Sequence, residues 1–153
     1  MAGTIVVGVD GSAPSLAALR WAADEARLRE ARLVAVYAWS YPPPVAVPGP
    51  GLAPLPEPDL PGQVEALRDS AEAELDAAIS DAFPGGAPVE IERKIVEGEA
   101  AETLENESRS ADLVVVGTRG RSALAAALLG SVSEHVVGHA SCPVVVLRTP
   151  DGT

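Results

Sequence analysis

Short apolar runs and longer segments of helical period take turns along this chain. "TIVVGV" (4–9), "RLVAVYAW" (32–39), "VEIERKIV" (89–96), "DLVVVG" (112–117) and "PVVVLR" (143–148) read as five strands. Three of them are continuously apolar, as strands covered on both faces are, and their alternation with helices predicts an α/β domain with a parallel sheet. After the first strand, "SAPSLAALRWAADEARLREA" sets Ser12 as a cap and Pro14 in the first turn, where a missing N–H is harmless. Leu16, Leu19, Ala23 and Ala26 recur there at helical spacing. From about Gln63 to Phe83, Val64, Leu67, Ala71, Leu75, Ala78 and Ala82 share one face, acid lies on the other, and "PGG" stops the helix. "EAAETLENESRSA" reads as a short third helix, and "SVSEHVVGHA" as a fourth with a capping box between Ser131 and Glu134.

One stretch breaks the rhythm. "YPPPVAVPGPGLAPLPEPDLPG" (41–62) holds nine of the fourteen prolines, so neither helix nor strand is expected within it. It reads as an exposed loop of polyproline character, or alternatively as a lid or partner-binding loop. With 153 residues, no internal repeat and no second boundary, the expectation is one domain over 1–150, carrying 41–62 as an insertion.

Composition narrows the setting. At 47% hydrophobic residues the chain can bury a core without staples, and the single cysteine, Cys142, excludes an internal disulfide framework, which fits a reducing cytoplasm. "MAGTIVVGVDGS" lacks a basic leader and a long apolar run, so a soluble chain that starts here and spans no membrane is expected. A net charge of −11 argues against non-specific nucleic-acid binding, which rests on phosphate neutralisation. Residues 113 to 133 run against that trend: they contain Arg119 and Arg121 and no carboxylate.

The candidate chemistry lies in that same stretch. Neither G-x-x-x-x-G-K-[ST] nor a G-x-G-x-x-G after the first strand is present, which excludes a P-loop or a standard dinucleotide site. Instead "VVVGTRG" sets Gly117 and Gly120 at the carboxyl edge of a strand, where open α/β sheets bind ligands. Glycine there permits positive φ and lets phosphate oxygens reach the amides. Gly130 and Ser131 then open the last helix, whose free N–H groups attract anions, with Ser131 and Ser133 as hydroxyl donors and Arg119 and Arg121 as charge. The competing reading is purely structural: a strand end, a turn and a cap, with Glu134 in a capping box repelling phosphate. His135 and His139 share a helix face without a third ligand nearby, which favours a structural role over a metal. Cys142 beside Pro143 reads as a packing thiol, and Trp21 and Trp39 as packing residues, Trp39 alternatively bordering a ligand.

Gly117, Gly120, Gly130 and Ser131 fit G-x-x-G, nine residues, G-[ST], a pattern that resembles the ATP-binding type of the universal stress protein family. "IVVGVDGS" is similar to that family's first strand and aspartate, "SRSADLVVVGTRGRS" to its fourth strand and loop, and "LLGSVSEHVVGHASCPVVVL" to its closing helix and strand. The resemblance implies a single Rossmann-like (adenine nucleotide alpha hydrolase-like) domain, a five-stranded parallel sheet with about four helices on both faces. It implies ATP, with Mg²⁺, in a regulatory stress-response role with at most slow hydrolysis and no catalytic residue. Asp10, with Gly8 before it, would lie near the ribose or a phosphate-bound metal, its alternative being a turn acid in "DGS". The backbone at Ala38 would meet adenine, and Val116, Gly117, Thr118, Arg119, Gly120 and Arg121 with Gly130, Ser131, Val132 and Ser133 would hold the phosphates. A cytoplasmic homodimer through Pro143 to Arg148 is also implied. The runner-up is a dimeric interaction module of the same fold without nucleotide, which the full glycine pattern speaks against. A third reading, an enzyme acting on a nucleotide-like substrate, would show itself by fast turnover.

Overall fold

The computed structural model describes residues 3–40, 60–118 and 129–148. Nine elements alternate: β1 (Thr4–Gly8), α1 (Ala13–Arg29), β2 (Arg32–Trp39), α2 (Leu60–Ala82), β3 (Ile91–Glu97), α3 (Ala100–Ser108), β4 (Leu113–Gly117), α4 (Ser131–His139) and β5 (Val144–Leu147). The five strands form one parallel sheet in the order β3-β2-β1-β4-β5.

Strand alternation divides the core in two. Ile5, Val7, Leu33, Ala35, Leu113 and Val115 face α1 and α2, where they meet Leu19, Ala23 and Leu75. Val6, Val34, Val36, Val114 and Val116 point the other way, onto Leu104 of α3 and Val136 of α4. The register aligns Val6 with both Val34 and Val114, which explains why the inner strands are apolar at every position. The edges differ: β3 exposes Glu92, Arg93 and Lys94, whereas β5 is half-buried at all four valine and leucine positions.

Helix ends follow from local chemistry. Ser12 caps α1 by accepting from the Ser15 amide at 3.4 Å, and Pro14 sits in the first turn as its missing donor allows. At the other end Glu30 adopts a left-handed φ of 54° while its amide returns to the carbonyls of Ala26 and Arg27. Arg20 Nε donates to the Ala82 carbonyl at 3.1 Å, tying α1 to the C-terminal end of α2. The expected faces hold, with Ala71, Leu75, Ala78 and Ala82 buried and Val64 and Leu67 half-buried.

Two boundaries move. The proline-rich stretch was expected to reach residue 62, but α2 begins at Leu60, because a proline one position into a helix loses no hydrogen bond. Residues 41–59 lie outside the described residues, and with them either reading of that loop. The capping box expected at α4 is not formed: Gly130 is the cap, Ser131 is already helical, and no side chain caps the first turn. The capping-box part of the objection therefore falls, while the Glu134 carboxylate stays in the first turn of α4.

Candidate functional site

In the order β3-β2-β1-β4-β5 the chain crosses over in opposite directions from β1 and β4, sending α1 and α2 to one face and α3 and α4 to the other. A crevice opens outside the carboxyl ends of those two strands, as open α/β sheets require. Here it is a cleft of about 570 Å³ including its mouth. Gly8 at the end of β1 with Val9 and Asp10 just after it, Val36 and Ala38 from β2, and Val116 and Gly117 from β4 make its floor. Ala100 and Leu104 of α3 and Val132 and Ser133 of α4 make its walls, with Ser15 of α1 at one side.

Asp10 is built into the turn that starts α1. Its Oδ1 accepts from the Ser12 amide at 2.9 Å and from the Ser12 hydroxyl, while its own amide donates to Ser15 Oγ at 3.3 Å. Gly11 between them takes a φ of 83°, which a side chain would strain. Asp10 thus fills the turn role, and it lines the cleft as well. It is the sole titratable side chain among the described lining residues.

Gly117 is glycine for a reason other than the expected one. Its φ is not positive, and a Cβ there would come within 2.7 Å of the carbonyl carbon, oxygen and Cβ of Pro14. The start of α1 packs directly on the end of β4, so the missing side chain serves helix docking.

Beyond it the two ends of the glycine segment are clasped. The Thr118 amide continues the ladder to Leu147 O at 3.0 Å, and Thr118 O accepts from the Gly130 amide at 2.6 Å and from Ser133 Oγ at 2.9 Å. Ser133 Oγ also lies 3.1 Å from Gly130 O, and Ser133 is buried. Its hydroxyl proton is therefore committed to carbonyls, which corrects its expected role as a donor to ligand. Ser131 is exposed and, like Thr118 and Gly130, does not line the cleft. The first helical bond of α4 is that of the Glu134 amide to Gly130 O, so the amides of Ser131, Val132 and Ser133 precede the ladder at the positive end of the helix dipole. Arg119, Gly120 and Arg121 lie outside the described residues.

Seven of the expected residues thus converge: Gly8, Asp10, Ala38, Val116, Gly117, Val132 and Ser133. Sequence reasoning missed Val9, Ser15, Val36, Ala100 and Leu104. Val36 was reachable, since it shares a strand face with Ala38 two positions on. Ala100 and Leu104 carry only a helical spacing, and the crossover of α3 alone brings them to the cleft. Trp21 and Trp39 pack against the α1–α2 core, and Trp39 does not line the cleft. Cys142 is half-buried, and burial, with the Asp112 charge second, pushes its thiol pKa up, as suits a packing role.

Among the described residues no group of three or more His, Cys, Asp or Glu could hold a metal ion, and no helix is long and apolar enough to cross a membrane. A magnesium ion at Asp10 would take one protein oxygen and find its other ligands in phosphate and water, the manner in which that ion is usually bound beside a nucleotide.

Comparison with known proteins agrees with this architecture. The family model described as "Universal stress protein family" matches residues 1–148. A universal stress protein of Mycolicibacterium smegmatis is 38% identical over 147 residues, covering 96% of this chain and 48% of the relative. The chain thus spans about half the length of the curated relatives it matches. Among solved structures, universal stress protein UspA from Lactobacillus plantarum has a TM-score of 0.72 at 28% identity, covering 95% of this chain and 97% of the other. A universal stress protein solved in complex with cAMP has a TM-score of 0.57 at 27% identity, covering 96% and 97%. With nearly its whole length matched by the family model and its sheet order and cleft in place, this chain belongs to the universal stress protein family.

Proposed function

We propose that this chain is an adenine-nucleotide-binding regulatory protein, with ATP and Mg²⁺ as its ligand and occupancy of the cleft as its signal. The observation that carries the reading is the cleft itself: strand ends at the sheet's switch point facing the uncapped N-terminus of α4. Apolar residues on β2, α3 and α4, namely Val36, Ala38, Leu104 and Val132, suit a flat base. The amides ahead of the α4 ladder, with Arg119, Gly120 and Arg121, suit phosphates. Asp10 has Oδ1 engaged by Ser12 and offers its other oxygen to a ribose hydroxyl or to magnesium. The bound cAMP of one structural neighbour supports the ligand class.

Hydrolysis is at most slow in this reading. The only titratable group among the described lining residues is Asp10, which is held in its turn and is not poised as a base for water. The protein is cytoplasmic and pairs through β5, whose place at the end of the sheet and apolar Val144–Leu147 suit strand addition. Relatives about twice as long are consistent with two such domains acting together.

The test is to purify the chain under native conditions, extract it, identify bound nucleotide, and titrate the stripped protein with ATP and Mg²⁺. Nucleotide in the extract and a measurable titration are expected. Ala100→Phe, which fills the cleft from α3, abolishes binding. Asp10→Asn, which keeps the Ser12 hydrogen bonds, weakens magnesium-dependent binding by about tenfold or more, the loss of one charge-assisted contact. An empty wild type that titrates with no adenine nucleotide selects the interaction module instead.

A further inference from the structure

The two helical walls of the cleft are joined by a titratable contact. His135 Nε2 of α4 lies 2.7 Å from Glu105 Oε2 of α3, and both side chains are partly exposed. Glu105 directly follows Leu104, and His135 stands one turn beyond Val132, so each partner adjoins a residue lining the cleft. Among the described residues this is the one ion pair between α3 and α4. A neutral bond anchors the far end of α3: the Ser141 amide donates to the buried Ser108 Oγ at 2.8 Å.

We propose that Glu105 and His135 form a proton-sensitive tie that sets the spacing of these walls, so that nucleotide affinity falls as pH rises through the neutral range. This rests on the nucleotide reading above. Imidazole is the side chain that changes charge in that range, and a charged donor makes the shorter and stronger bond to a carboxylate. On rising pH the ionic part of the bond is lost and the two walls are held less firmly.

Glu105 is the constant partner of the pair. The bond to His135 is the main cause holding the Glu105 carboxyl below its ordinary range, against some burial and with the charges of His135, His139 and Arg109 adding. Glu105 therefore stays ionised throughout the neutral range, and its own contribution is lost only in acid. From α4, His139 stacks on His135 with ring centroids 4.1 Å apart, and its Nδ1 donates to the His135 carbonyl at 2.9 Å, fixing the first ring from behind. Glu102 and Glu134 are exposed, β4 and β5 bring only valine, leucine and glycine, and Cys142 is half-buried with its thiol pushed up.

Cyclic AMP is the probe, because its phosphodiester carries no proton that titrates near neutrality. Affinity measured by calorimetry at about pH 6 and about pH 8 is expected to be about two- to fivefold weaker at the higher pH, the range of a part-exposed ion pair. Glu105→Gln and His135→Gln flatten that dependence. In the ligand-free chain, the Leu104 and Val132 methyl resonances move with the His135 ring protons on titration, and they stay still in Glu105→Gln. Equal affinity at both pH values, or a dependence that survives Glu105→Gln, overturns the proposal. If cyclic AMP binds at neither pH, the ATP titration above decides the nucleotide reading, and the methyl shifts alone then decide the tie: methyls that ignore the pH overturn it.

Discussion

Gly117 and Asp10 show how one residue can answer to more than one physical demand. The spacing of Gly117 pointed to a phosphate cradle, yet the atoms nearest its missing Cβ belong to Pro14, 2.7 Å away. That Pro14 backbone cannot yield without shifting the first turn of α1. Gly117→Ala is therefore expected to lower stability by about 1–3 kcal/mol, the usual range for overpacking, whether or not nucleotide is present. Urea unfolding of the ligand-free chain measures this, and an unchanged midpoint would show that α1 can move aside. Gly117→Ala therefore reports on folding and not on binding alone, whereas Ala100→Phe acts on the cleft. Asp10 in turn was open to two readings, and the structure shows it in the turn and in the cleft at once. The turn at Asp10 was legible in "DGS", but the Pro14 contact could not be read from "VVVGTRG", because the chain gives no sign of which distant backbone will lie against a given Cα.

At the level of elements, the hydrophobic pattern located all five strands to within about two residues, most plainly the inner ones, since a strand covered on both faces must be apolar throughout. Ends were less legible. Pro61 looked like a helix breaker and is instead a tolerated early residue of α2, and Ser131 looked like a cap one position away from the real one, Gly130. A third end is suboptimal in the protein itself: Glu30 closes α1 with φ 54°, a conformation unfavourable by roughly 1–2 kcal/mol for a residue with a Cβ. Glu30→Gly removes that strain and, after the added freedom of the unfolded chain, is expected to gain about 0.5–1 kcal/mol, or about 1–4 °C in melting temperature. Calorimetric melting checks it, and a lower Tm would mean that the Glu30 side chain stabilises the turn in some other way.

For the whole molecule, the two sheet edges carry opposite messages. β3 places Glu92, Arg93 and Lys94 in solvent, with Arg93 paired to Asp76 and Lys94 to Glu107, the kind of charge that keeps an edge from pairing. β5, Val144–Leu147, carries no charged side chain within the strand. Pairing through β5 predicts twice the monomer mass by light scattering at micromolar concentration, and a monomer would remove that part of the proposal. The sequence by itself determined the fold class, the strands, the helical faces and the family pattern, because these depend on periodicity and on residue spacing along the chain. Only the tertiary structure decided that α3 supplies a wall of the cleft, that Thr118, Gly130 and Ser133 clasp one another, and that Glu105 meets His135 thirty residues away. Those contacts arise where crossovers bring separate segments together at the strand ends, and no local pattern records which segments will meet.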